Sequence, residues 1–312
     1  METAEELAYA SSRLKRVWYN HGDTLFAVGM AGPALCVVAA TLLFPLLYSF
    51  WTSLASVDPA SLAFKFIGLA NYGSAIHDPL FLTALTNTLE FAGLTIVGTV
   101  VAGLGIALVL NQPFAGRGLL RAVVVLPWAM SQVVVAVVWG WIFDGTYGVL
   151  NAILKDLGII HSYIGWLSNP HITLYLVALA FVWSSAPFAV VIYLAALAGI
   201  SPELYNAAKV DGAGAWRRFR YVTLPGLRYA TLMVLIVASL EGLLAFSLIY
   251  TMTGGGPGTS TTVLSWLAYQ ITFVRLQLGE GAAMFYSLVF MMVGLAFVYI
   301  RWLYRPEHEG EQ

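Results

Sequence analysis

PELYNAAKVDGAGAWRRFRYVTLP, residues 202–225, is a basic, helix-compatible segment lodged between two long apolar runs. It is too polar to be a membrane span and too regular to be a plain linker. It reads as a helix–loop element held at a membrane surface. Asp211-Gly212-Ala213-Gly214 supplies the bend, because glycine adopts backbone angles that a side chain forbids. Arg217, Arg218 and Arg220 keep the far side in water and lipid headgroups.

Outward from this segment the chain is apolar. Of 312 residues 60% are hydrophobic and 10% charged, with mean hydropathy +0.80, far from the roughly 25% charged content of soluble domains. The composition is that of an integral membrane protein. A single cysteine, Cys36, lies within an apolar run, which excludes an intrachain disulfide or a cysteine metal cluster. The net charge of −1 carries no signal for nucleic acid. His161 and His171 lack metal-ligand spacing.

Six stretches, 25–51, 83–110, 119–143, 172–198, 229–251 and 281–303, are each long enough to cross a bilayer, which takes about 20 helical residues. Backbone polar groups in lipid must be satisfied internally, so the expected class is an all-α polytopic membrane protein of six transmembrane helices. Residues 1–24 read as a retained tail rather than a signal peptide; 25–303 form the membrane domain, and 304–312 a second tail. With both termini in the cytoplasm, Arg13, Lys15, Arg16, Arg117, Arg121, Lys209, Arg217, Arg218, Arg220, Arg228, Arg301 and Arg305 share the inner side, leaving Lys65, Lys155 and Arg275 outside. That asymmetry follows the positive-inside rule, and it places residues 202–225 in the cytoplasm.

Polar residues within the spans mark a candidate path. Asn87 and Glu90 share a helical face near the outer end of the second span; Glu90 reads equally as an interface anchor or as part of a path or outer gate. Trp183 lies beside Ser184, Ser185 and Pro187 in the fourth span, and is a packing residue or a platform for a sugar ring. Glu241 lies near the middle of the expected fifth span, with Ala238, Gly242 and Ala245 at helical spacing beside it. An acid at that depth is either an acceptor for substrate hydroxyls or a structural hydrogen-bond partner. Tyr250 then leads into Thr253-Gly254-Gly255-Gly256-Pro257, an external turn. It is no phosphate loop, since the Lys-Ser/Thr ending is absent.

Residues 202–225 resemble the cytoplasmic loop of the permeases of bacterial binding-protein-dependent ABC importers, through Asn206, Ala207, Ala208, Asp211, Gly212, Ala213, Phe219, Leu224 and Pro225. The family's usual glutamate is Asn206 here, and its closing proline falls at Tyr229. The turn at Gly254, Gly255, Gly256 and Pro257, the stretch from Phe66 to Tyr72 with Asp78-Pro79, and Tyr147-Gly148 with Asn151 resemble the sugar-uptake branch, the maltose, glycerol-phosphate and trehalose permeases. That branch's frequent aspartate is Ser247 here. The resemblance implies a type I permease core in the bacterial inner membrane, with residues 206–213 forming a coupling helix that docks on an ATPase. It further implies a second, nonidentical permease, two copies of the ATPase, an extracytoplasmic sugar-binding protein and a sugar substrate. The chain itself would be non-catalytic and bind no cofactor, ATP and Mg²⁺ being used by the ATPase. Competing readings are a proton-coupled secondary carrier and an ABC permease for a polyol, glycerol phosphate or amino acid.

Overall fold

In the computed structural model, residues 26, 29–58, 61 and 63–303 are described. The two tails, with Arg13, Lys15, Arg16 and Arg305, lie outside them. Among the described residues four helices are long and apolar enough to cross a membrane, and two bent pairs make up to six crossings. The chain is thus a multi-pass membrane protein, and half-exposed residues such as Leu42, Val97, Val101 and Phe297 suit a lipid-facing surface.

Helix α1 spans Gly29–Ser53. It contains a π-helical turn, Ala39–Leu43, immediately before Phe44-Pro45, where proline removes an amide donor and its ring crowds the preceding turn. Strands β1 (Ala55–Val57) and β2 (Phe64–Phe66) then pair antiparallel, with Ser56 opposite Lys65. This hairpin is an addition to the expected all-helical chain. Helix α2, Ala70–His77, packs beside it, and buried Asn71 donates to the carbonyls of Ser53 and Ala55 at 2.9 and 2.8 Å.

Helices α3 (Phe81–Leu110) and α7 (Thr173–Ala198) form the central pair. Small residues set their separation: a Cβ on Gly103 would overlap the Ala189 methyl, and one on Gly98 would lie 2.6 Å from Val182 Cγ2. Without a hydrophobic drive between helices in lipid, such close approach supplies the attraction. Pro187 is carried inside an unbroken α7.

The third and fifth crossings depart from the expected continuous spans. Helix α4 (Arg117–Val125) passes through a 3-10 turn at Leu126–Ala129, and α5 (Gln132–Ile142) follows at 101°. Pro127 breaks the ladder, Met130 is extended, and Ser131 restarts it by accepting from Val134 N. Helix α6, Val149–Asp156, lies in the following connection. After α8 (Pro202–Val210) and α9 (Ala215–Gly226), helix α10 (Arg228–Leu243) ends eight residues before the expected limit, and α11 (Ser247–Met252) is separate. The carbonyl of Ala245, freed by that break, is satisfied by Ser265 Oγ at 2.7 Å. Helices α12 (Leu264–Val274) and α13 (Leu278–Leu303) complete the chain.

The core falls into three clusters. One joins Phe91, Val135, Phe181, Leu248 and Trp266; one joins Phe81, Leu264, Ile271 and Met284; the third joins Leu110, Tyr193, Leu227 and Val234 at the base of α9 and α10.

Candidate functional site

The helix–turn–helix of α8 and α9 is built by local rules. Ser201 caps α8 by accepting from Glu203 N at 3.2 Å, and Pro202 occupies the first turn, where its missing donor is harmless. The end is a Schellman motif: Ala213 N donates to Ala208 O at 2.8 Å and Gly212 N to Lys209 O at 3.0 Å, with Gly212 left-handed at φ 73°. Asp211-Gly212 thus supplies the bend read from the sequence. Gly214 is extended and leads into α9.

This element is displayed outward and fastened inward. Asn206, Ala207, Asp211 and Gly212 are exposed, Ala208 and Ala213 half-buried, and Val210 is 88% exposed. Tyr205 OH meets Thr223 Oγ1 at 3.0 Å, joining α8 to α9. Helix α9 then turns through 66° into α10 at fully buried Leu227, part of the cluster that holds Tyr193 of α7. Helix α8 is thus tied to α9, and α9 is joined to the transmembrane helices at Leu227.

The polar residues of the spans divide between two locations. Glu241 lies in the last turn of α10, beside the break and not midway along a continuous helix. With Gln132, Phe181, Leu240, Phe246 and Ser247 it lines a cavity of about 340 Å³. Its neighbours Ala238, Gly242 and Ala245 are buried, and a Cβ on Gly242 would lie 2.7 Å from Thr95 Oγ1 of α3, so the small face packs inward as its spacing indicated. Gln132 Nε2 donates to Ser184 Oγ at 3.3 Å, while Gln132 Oε1 is buried without a partner. The Ser185 hydroxyl faces Glu241 but falls short of hydrogen-bond geometry and is also buried without a partner. The otherwise largely apolar cavity thus carries an amide, a carboxylate and a hydroxyl from Gln132, Glu241 and Ser247, a mix that suits a hydroxylated solute.

Gln132 was missed in the sequence, and Ser247 was noted there but not as a lining residue. Gln132 stands more than a hundred residues from Glu241, and its one signal is a polar side chain beside Ser131, shortly after the Leu126-Pro127-Trp128 interruption. A second cavity, about 600 Å³, shares Leu244 and Phe246 as a wall and is lined otherwise mainly by apolar and aromatic groups such as Tyr48, Phe64, Tyr269 and Phe285.

The remaining candidates lie elsewhere. Asn87 donates to the carbonyls of Thr259 and Thr262, both at 2.9 Å, clasping the loop after α11 to α3. Glu90 is exposed and interacts with Tyr175 of α7. Trp183 packs edge-on against Trp139 at 5.8 Å. Tyr250 stacks on Phe246 at 5.4 Å and is grouped with Trp266 and Tyr269. In the turn, Gly254 and Gly255 have φ of 58° and 89°. A Cβ on Gly255 would collide with the Trp266 indole. Thr262 Oγ1 donates to Gly255 O at 3.0 Å and Thr261 Oγ1 to Gly256 O at 2.8 Å, with Pro257 following.

Comparison with known proteins agrees with this architecture. The chain is 35% identical over 285 residues to the sulfoquinovosyl glycerol transport system permease protein SmoG of Agrobacterium fabrum, covering 91% of this chain and 92% of that one. It is 34% identical over 270 residues to the trehalose/maltose transport system permease protein MalF of Thermococcus litoralis, covering 86% and 90%. A chain of a bacterial ABC transporter involved in the import of the acidic polysaccharide alginate shares the fold, with TM-score 0.80 and 22% identity over 94% of this chain and 99% of that one. Residues 95–305 match the model of the binding-protein-dependent transport system inner membrane component, and the chain belongs to that family.

Proposed function

We propose that this chain is the transmembrane permease subunit of an ATP-driven sugar importer. It forms half of the translocation pathway with a second, nonidentical permease. The observation that carries the reading is the connection from the exposed α8–α9 element, through the buried bend at Leu227, to the helix that carries Glu241 at a cavity. Supporting the substrate class, the relatives' names include transport systems for sulfoquinovosyl glycerol and trehalose/maltose. Among the described residues no lysine or arginine lines the cavity, a lining that suits a neutral saccharide.

In this mechanism both termini and the α8–α9 element face the cytoplasm. Two ATPase subunits, which use ATP and Mg²⁺, engage residues 206–213. ATP binding closes the ATPase pair and moves α8, opening the pathway outward to an extracytoplasmic sugar-binding protein; hydrolysis resets it. Glu241 and Gln132 offer transient hydrogen bonds to sugar hydroxyls, and the external turn at 254–257 shapes the outer mouth.

Reconstituted proteoliposomes test this. Uptake of a sugar delivered by the binding protein should follow ATP hydrolysis and survive collapse of the proton gradient. Uptake that follows the proton gradient without ATP would overturn the proposal and identify a secondary carrier.

A further inference from the structure

A separate cavity of about 620 Å³ lies behind α8. Three elements enclose it: the end of α7 at Ala196, Gly199 and Ile200; Ser201 with Leu204 of α8; and the bend from Tyr221 and Val222 through Pro225 and Gly226 to Tyr229 and Ala230. Its walls are largely apolar. Close packing preserves its shape on one side, since a Cβ on Gly226 would lie 2.8 Å from Ile200 Cδ1. On the open side Leu204, Tyr221 and Tyr229 are 55%, 74% and 46% exposed.

The rim is basic. Residues 202–229 contain Lys209, Arg217, Arg218, Arg220 and Arg228 against only Glu203 and Asp211. The Arg220 guanidinium lies over the Tyr221 ring at 6.0 Å, which places one positive group directly at the mouth. Tyrosines with an apolar body and a polar tip belong at the boundary between lipid tails and water. The cavity sits where spanning helices α7 and α10 end, so the chemistry that meets it is an acyl chain attached to a headgroup at that depth. Positive charge at the rim selects among headgroups for a negative one.

We propose that this elbow is a binding site for an anionic phospholipid, its acyl chain seated between Ile200, Leu204 and Tyr229 and its phosphate met by Arg220 and Arg228. Because Leu204 belongs to α8 and Tyr221 to α9, the lipid bridges both arms of the element. Its occupancy would stiffen the link between them; that consequence rests on the coupling role proposed above, whereas the lipid site itself does not.

The test uses the assembled transporter in nanodiscs of phosphatidylcholine alone or of phosphatidylcholine with phosphatidylglycerol. A photoreactive benzoylphenylalanine at position 221 or 229 should crosslink to phospholipid, with phosphatidylglycerol captured in preference to phosphatidylcholine. Arg220→Gln should reduce that preference about fivefold, the effect of one basic residue near an anionic headgroup. Ala230→Phe, which fills the cavity, should remove the crosslink at 229 while a crosslinker at lipid-facing Val101 is unaffected. Equal capture of the two lipids, or crosslinking of 221 and 229 to another subunit or to residues 1–25 of this chain, would overturn the proposal. A transporter that couples normally without residues Asp211 and Gly212 but still shows selective lipid capture would overturn the coupling reading and leave the lipid site standing.

Discussion

Glu241 is the residue at which the proposed handling of substrate is tested. It shares its cavity with Gln132, and in the proposed function a sugar hydroxyl bonds to both side chains. Hydrogen bonds to a charged group contribute about 1.5–3 kcal/mol. Glu241→Ala should therefore lower uptake about 10- to 100-fold, with the binding protein's affinity for sugar unchanged; unchanged uptake would remove Glu241 from the path. Asp144, in the connection after α5, tests a purely structural role. Backbone donors from Tyr147 and Thr146 hold its carboxyl below the usual carboxylate range. A depressed carboxyl contributes stability above its unfolded value and loses it as pH falls through the folded one. At neutral pH, Asp144→Ala should speed amide exchange at Thr146 and Tyr147, which donate to Oδ1 at 2.7 and 3.0 Å; in the unmodified chain, protection should fade only on acidification below the ordinary carboxylate range. The sequence exposed Glu241 because an acid in an apolar run stands out. It hid Gln132, because pairing residues across α5 and α10 requires the 101° break that aims α5 at the cavity.

At the scale of elements, glycine positions decide what packs. Gly103 brings α3 against α7 at the Ala189 methyl, so Gly103→Leu should destabilise the bundle by about 1–3 kcal/mol through overpacking, read as a lower thermal transition in detergent. Gly255→Ala meets both a left-handed backbone and the Trp266 indole. The backbone alone costs about 1–3 kcal/mol, and the loop that Asn87 clasps should become accessible to protease. The limits of α1, α3, α7 and α13 were legible from apolar length, because a helix in lipid has to be both long and continuous. The breaks at Leu126–Ala129 and after Leu243 were less so. Pro127 signals the first, but the stop at Leu243 depends on Ser265, twenty residues away, capturing the carbonyl of Ala245. The hairpin of β1 and β2 is short enough to leave no period-two pattern that separates it from a turn.

For the whole molecule, the polar segment between two apolar runs becomes an exposed helix fastened at its base to the same cluster that holds α7 and α10. Its bend was readable because a Schellman end demands a residue like Gly212 at φ 73°; what it touches was not, because no other subunit is encoded in this chain. Gly212→Val should distort the end of α8 and uncouple uptake from ATP hydrolysis while leaving assembly of the transmembrane helices intact. The most direct measurement is proximity crosslinking in the assembled transporter from a cysteine placed at position 210, the tip of α8, in a chain with Cys36 replaced. The account predicts a crosslink to the ATPase whose yield changes with bound nucleotide; a position 210 that reacts only with reagents added outside the cell, or that never reaches the ATPase, would contradict it.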